Sequence, residues 1–181
     1  MGLFDKFTQS SGQSSNEATF VFQRLPQSLA EMQAMPEASL DTPFKAAALT
    51  LCALCAYAAS PAVGIEMLNF LRGPAGNMSP TDLQFLRDRF MDGKHYVPFS
   101  YFAGATPDNN YTPNQPFTVR ISANPYSYQN EGYATLYISS GGADSPRPVT
   151  LRLKPSTNQW FLNQQNLMVG IRMPKANDPW A

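Results

Sequence analysis

The chain has 181 residues and a formal net charge of zero, with charged residues making up 14%, against roughly 25% in an average soluble domain. That length suits one domain with its own core and is short for two. Neutrality argues against the strong basic bias of a dedicated nucleic-acid binder and against an acidic solvating tail. Nucleic acid is therefore not the expected partner.

The N-terminus, MGLFDKF, lacks a basic region followed by a long apolar stretch, so it does not read as a secretory signal. Lys6 stands where a myristoylation pattern wants Ser or Thr. Leu3, Phe4 and Phe7 fall on one helical face and form the one point of contact expected for a membrane. Residues 8–18, TQSSGQSSNEA, are small, polar and without period, and read as a linker. The division is a tip and linker over 1–18 and a single domain over 19–181.

Helix punctuation dominates residues 26–93. Thr42-Pro43, Ser60-Pro61 and Ser79-Pro80 each place a hydroxyl cap before a proline at the first helical position. Asp82, three residues after Ser79, completes a variant capping box. Gly73-Pro74 and Gly93 supply stops. The spacing predicts helices near 27–35, 43–59, 61–72 and 80–92. The run Phe44–Ala59 is apolar nearly all round but carries Lys45, Thr50 and Tyr57. It falls short of the ~18–20 apolar residues of a membrane span and reads as the central buried helix.

After residue 95 the period becomes two. Strands are predicted around Phe117–Ile121, Ala134–Ile138, Val149–Leu153, Trp160–Asn163 and Val169–Met173. Helices first and strands second give an α+β domain, with the N-terminal helices packed on one face of a C-terminal, curved antiparallel sheet.

Between the two halves lies Lys94–Phe117. It holds the only histidine, His95, and the aromatics Tyr96, Phe99, Tyr101, Phe102, Tyr111 and Phe117. Its second half is rich in proline, Asn and Gln. Tyr and Asn on such a segment give contact area at low entropic cost. Tyr96, Tyr101, Phe102, Asn110 and Tyr111 are the candidate binding residues. The competing reading is that aromatics at a helix-to-sheet junction pack inward.

His95 is the weak catalytic candidate. Acid–base or nucleophilic chemistry also needs a nucleophile, an orienting carboxylate and an oxyanion site. Asp92, Asp108 and Asp144-Ser145 are available, but in no recognised motif. Cys52-Ala-Leu-Cys55 has redox spacing, yet it sits in mid-helix and not at the helix N-terminus that would activate a thiol. With no second pair for zinc, both cysteines read as buried apolar residues. No metal or cofactor is implied, and two thiols without an export signal fit a cytoplasmic location. Arg120, Arg152, Lys154 and Arg172 all fall on outward strand positions and form a possible anion face.

Several segments together carry a resemblance. They include Phe70-Leu71-Arg72-Gly73-Pro74, Asp88-Arg89, the stretch Tyr96–Pro107, Asn110–Pro113, Asp144–Arg152, Lys154-Pro-Ser, Gln159–Leu162, Ile171-Arg172 and Asp178–Ala181. From about residue 25 to the end the chain resembles an uncharacterised bacterial domain-of-unknown-function family, found mainly in Gram-positive organisms. The resemblance implies no activity and no site residue.

The leading functional reading is a non-catalytic module that binds another protein through Tyr96–Phe117. A ligand-binding or hydrolytic pocket near His95 is the alternative. Anion or single-stranded nucleic-acid binding on the basic sheet face is the third.

Overall fold

The hydroxyl-proline pairs start the helices that their chemistry predicts. In the computed structural model, which describes residues 16–181, α1 is Leu29–Gln33, α2 Pro43–Ala59, α3 Pro61–Arg72 and α4 Pro80–Arg89. The Thr42 hydroxyl accepts from the Lys45 N–H at 3.2 Å. Ser79 accepts from the Asp82 N–H at 3.1 Å while the Asp82 carboxylate accepts from the Ser79 N–H at 2.9 Å, a reciprocal capping box. Ser60 makes no side-chain cap bond, so Pro61 alone sets that start. α4 stops at Arg89, short of residue 92, because Asp92 and Gly93 both turn to positive φ.

α2 is the buried helix, with every residue from Ala46 to Cys55 buried. Its alanines let α3 approach closely. A Cβ on Gly64 would stand 2.4 Å from Tyr57 Cβ, so only glycine fits this crossing.

The sheet is open, antiparallel and five-stranded: β1 Glu17–Phe22, β2 Phe117–Ser122, β3 Tyr133–Ile138, β4 Arg147–Lys154 and β5 Gln159–Gln165, in that spatial order. Val119, Ile121, Leu136, Ile138, Val149, Leu151 and Leu162 join α2 in the core. The other face carries Thr135 opposite Thr150 and Arg152 opposite Tyr133. The fold is α+β, as its pattern indicates. Among the described residues no helix is long and apolar enough to cross a membrane.

Two strand assignments are corrected. β1 lies outside the expected strands and begins at Glu17, inside the 8–18 tract whose composition predicts a linker. The tip Gly2–Phe7 and the rest of that linker lie outside the described residues. Conversely, Val169–Met173 alternates like a strand and is not one. The Arg147 guanidinium takes the carbonyls of Val169 and Gly170 at 2.7 and 2.8 Å, and Gly170 turns to φ +67°. The left-handed turn at Gly170 takes the segment out of the extended backbone that a ladder needs.

Candidate functional site

The segment 94–117 is built into the core. Tyr101, Phe102 and Tyr111 are 3, 2 and 2% exposed. Tyr101 donates its hydroxyl to the Leu167 carbonyl, and Tyr111 donates to that of Arg172. Burial pushes the Tyr101 hydroxyl far above the ordinary tyrosine range. Half-buried Tyr96 stacks on Tyr111 at 5.2 Å and 9°. Phe102 meets Phe117 edge-on at 5.4 Å. Asn110 is exposed but sits in a left-handed turn position, φ 55°. These aromatics fasten the loop to the C-terminal segment and leave little of themselves for a partner.

His95 is exposed on a single 3-10 turn, its ring 6.1 Å from that of Phe90. It has no hydrogen bond or ion pair among the described residues. Cys52 and Cys55 are free and buried, and burial raises both thiols far above their ordinary range.

The outward cations are spread out and do not form one contiguous patch. Arg120 pairs with Glu17 at 3.0 Å on the β1–β2 side. Arg172 lies outside the sheet and pairs with Asp144 at 3.0 Å. Arg152 and Lys154 remain together at the end of β4. The Arg152 guanidinium lies 5.6 Å from the Tyr133 ring centroid.

Arg152 and Lys154 are joined by a residue that the alternation of the strands could not reveal. Arg72, at the last position of α3, lines the same pocket of about 300 Å³. The local sequence explains its placement. Gly73 ends the helix at φ +50°, and Pro74 then forces the chain aside over β5. A Cβ on Gly73 would lie 2.3 Å from the Phe161 ring, so the turn rests directly on that side chain. Arg72 donates from Nε to the Gly76 carbonyl at 2.9 Å. Its nearest carboxylate, Asp82, stands 3.9 Å away, outside hydrogen-bond distance. The other guanidinium donors keep their capacity.

The pocket thus sets Arg72, Arg152 and Lys154 around Phe161, Leu162 and Asn163, and no carboxylate belongs to its lining. Lys154 has no ion-pair partner among the described residues. The chemistry on offer is charge-assisted hydrogen bonding beside an aromatic wall. The lining holds no nucleophile-and-base pair. The sequence signal for Arg72 was present in the Arg-Gly-Pro helix stop, but nothing local announced its neighbours.

The segments meeting here are among those on which the family resemblance rests. A family model, the domain of unknown function DUF6935, matches residues 24–175. The chain belongs to this family. The DUF6935 match runs from just after β1 to the final 3-10 turn and takes in every residue of the cationic pocket. Neither the curated proteins nor the solved structures gave a match. The DUF6935 description states no activity, so the site rests on its geometry.

Proposed function

We propose that this domain is a non-catalytic binding module that takes an anionic group of a partner between Arg72, Arg152 and Lys154. One observation carries the reading: three cationic side chains line one pocket whose lining holds no carboxylate, and among the described residues only Arg72 has an acid near it, Asp82 at 3.9 Å. Like charges held together destabilise a site unless an anion joins them, and each charge-assisted bond formed is worth about 1.5–3 kcal/mol. Phe161 adds an apolar wall, which favours an anion attached to a larger body over a small free ion. The interaction role expected of this protein is kept, and its surface moves from the 96–117 aromatics to the β4–β5 corner.

The test is a titration of the isotope-labelled chain with inorganic phosphate and with a small aryl carboxylate, followed by amide shifts. Perturbation is expected at Arg72, Arg152, Lys154 and Phe161, weakening with salt. It is expected to vanish in Arg152→Glu/Lys154→Glu and to persist in Arg120→Glu. Shifts scattered over the surface, or unchanged in the double variant, overturn the proposal.

A further inference from the structure

We infer that the partner is an extended peptide that adds as a sixth strand to the edge of β5 at Leu162–Gln165, seating carboxylates of alternate residues in the cationic pocket. The inference rests on the anion-site reading above and goes beyond it, because it names the backbone that brings the anion.

The phase of the ladder supplies the first argument. The Trp160 N–H points away from β4 and donates to the Leu40 carbonyl at 2.8 Å. Trp160 and its partner Leu153 therefore form a non-hydrogen-bonded pair. The other side agrees, since the Leu153 N–H reaches the Gly132 carbonyl at 2.8 Å, toward β3. Two residues on, Leu162 opposite Leu151 has the same phase. Its N–H and C=O are directed outward. A register shift follows between Thr150 and Leu151. Beyond it, the Asn166 N–H donates to the Pro148 carbonyl at 3.1 Å, which turns Gln165 outward. The edge thus presents Leu162 and Gln165, and neither N–H has a backbone acceptor outside the strand among the described residues. At Trp160 the chain itself already pairs with this edge, through Leu40.

The second argument is the groove beside that edge. About 330 Å³ opens between residues 162–166 and α4, walled by Leu68, Met78, Phe85 and Leu86. Phe85 is 52% exposed, and Arg89 lies over its ring at 4.6 Å. A strand edge facing a helix across an apolar groove is the geometry of peptide recognition by strand addition. Main-chain bonds give affinity there, and pockets for alternate side chains give specificity.

Charge complementarity selects the occupant. The groove and the cationic pocket share Arg72, Leu162 and Asn163, so they are continuous. Residues i and i+2 of a strand share a face. Two carboxylates at that spacing match three cations better than one terminal carboxylate does. The single acid on the groove side, Asp82, caps Ser79 and stands 3.9 Å from Arg72.

The experiment uses the full chain and a fluorescent eight-residue peptide of Val and Thr with Glu at two alternate positions. We expect saturable binding, slowed amide exchange at Leu162 and Gln165, and at least a tenfold loss in Arg152→Glu/Lys154→Glu. N-methylation of the peptide at alternate residues should also cost at least tenfold in one phase and little in the other. If phosphate binds the pocket but the peptide protects neither amide and both N-methyl phases are silent, strand addition is wrong and the anion site stands. If neither phosphate nor peptide binds, both fail. Tighter binding of an oligothymidylate of equal charge, without protection at Leu162, would assign the site to nucleic acid and overturn the inference.

Discussion

The hydroxyl of Tyr111 donates to the main-chain carbonyl of Arg172 at 2.5 Å, and its ring lies flat on Tyr96. Tyr101 does the same work one layer deeper, on Leu167. Two tyrosines of one loop thus hold a C-terminal segment that has no strand of its own after Gln165.

Removing either hydroxyl leaves a carbonyl without its donor. Tyr111→Phe and Tyr101→Phe are each expected to lower unfolding free energy by about 1–3 kcal/mol, with the larger loss at Tyr101 because no water can replace its hydroxyl. Denaturant unfolding measures this. Phosphate binding at Arg152 should be unchanged in both. A variant of unchanged stability would mean the carbonyl finds another donor.

The helical half was legible because its signals are local. Thr42 and Ser79 cap residues only three positions away, and Pro43 and Pro80 act within their own turns. The sheet was legible in part for the same reason: Val119, Ile121, Leu136 and Leu151 alternate with polar neighbours. β1 alternates too, with Ala18, Phe20 and Phe22 facing inward, but its partner β2 lies about a hundred residues on and its neighbour in sequence is a polar tract. Val169–Met173 misled for the opposite reason, since Arg147 claimed its carbonyls from outside the segment. The site shows the same division. Arg152 and Lys154 were visible as outward strand positions, whereas Arg72 joins them only through the turn at Gly73, which is a fact of tertiary structure.

That turn is testable. Gly73→Ala sets a methyl group against Phe161 at a backbone conformation that L-residues avoid. It should cost more than about 1 kcal/mol and displace Arg72. Phosphate affinity is therefore expected to fall together with stability. Gly93→Ala, also at positive φ with nothing near its Cβ and outside the pocket lining, is the comparison that should strain the backbone and leave the pocket intact.

The capping box at α4 makes a prediction with a pH sign. The Asp82 carboxyl is held below its ordinary range, first by the Ser79 backbone N–H and then by the Ser79 side chain. A depressed carboxyl stabilises the fold above its unfolded pKa, and that contribution is lost as pH falls through the folded one. Wild type should exceed Asp82→Asn in stability at neutral pH, with the difference shrinking toward strong acid. Ser79→Ala should cost about 0.5–2 kcal/mol at neutral pH. A difference that grows on acidification would refute the assignment.

The alkaline limb follows from burial. Cys52, Cys55 and Tyr101 are buried, and desolvation raises all three above their ordinary values of 9.0 and 10.0. In the unfolded chain they ionise near those values, while in the fold they stay protonated. The unfolded state then binds fewer protons, so stability is fully present below about pH 9 and declines as pH rises. The slope is about 1.4 kcal/mol per pH unit for each group ionised only when unfolded. Cys52→Ala/Cys55→Ala should flatten the decline between pH 9 and 10, and adding Tyr101→Phe should flatten it further above 10. Each variant is compared with its own stability at pH 7, which separates the proton linkage from any packing cost. The same burial predicts that a thiol reagent modifies neither cysteine in native protein at neutral pH and both after unfolding. Parallel alkaline limbs in wild type and variants, or rapid labelling of the native chain, would show that α2 opens to solvent without unfolding, and the helix placed at the centre of the core would then be its most dynamic part.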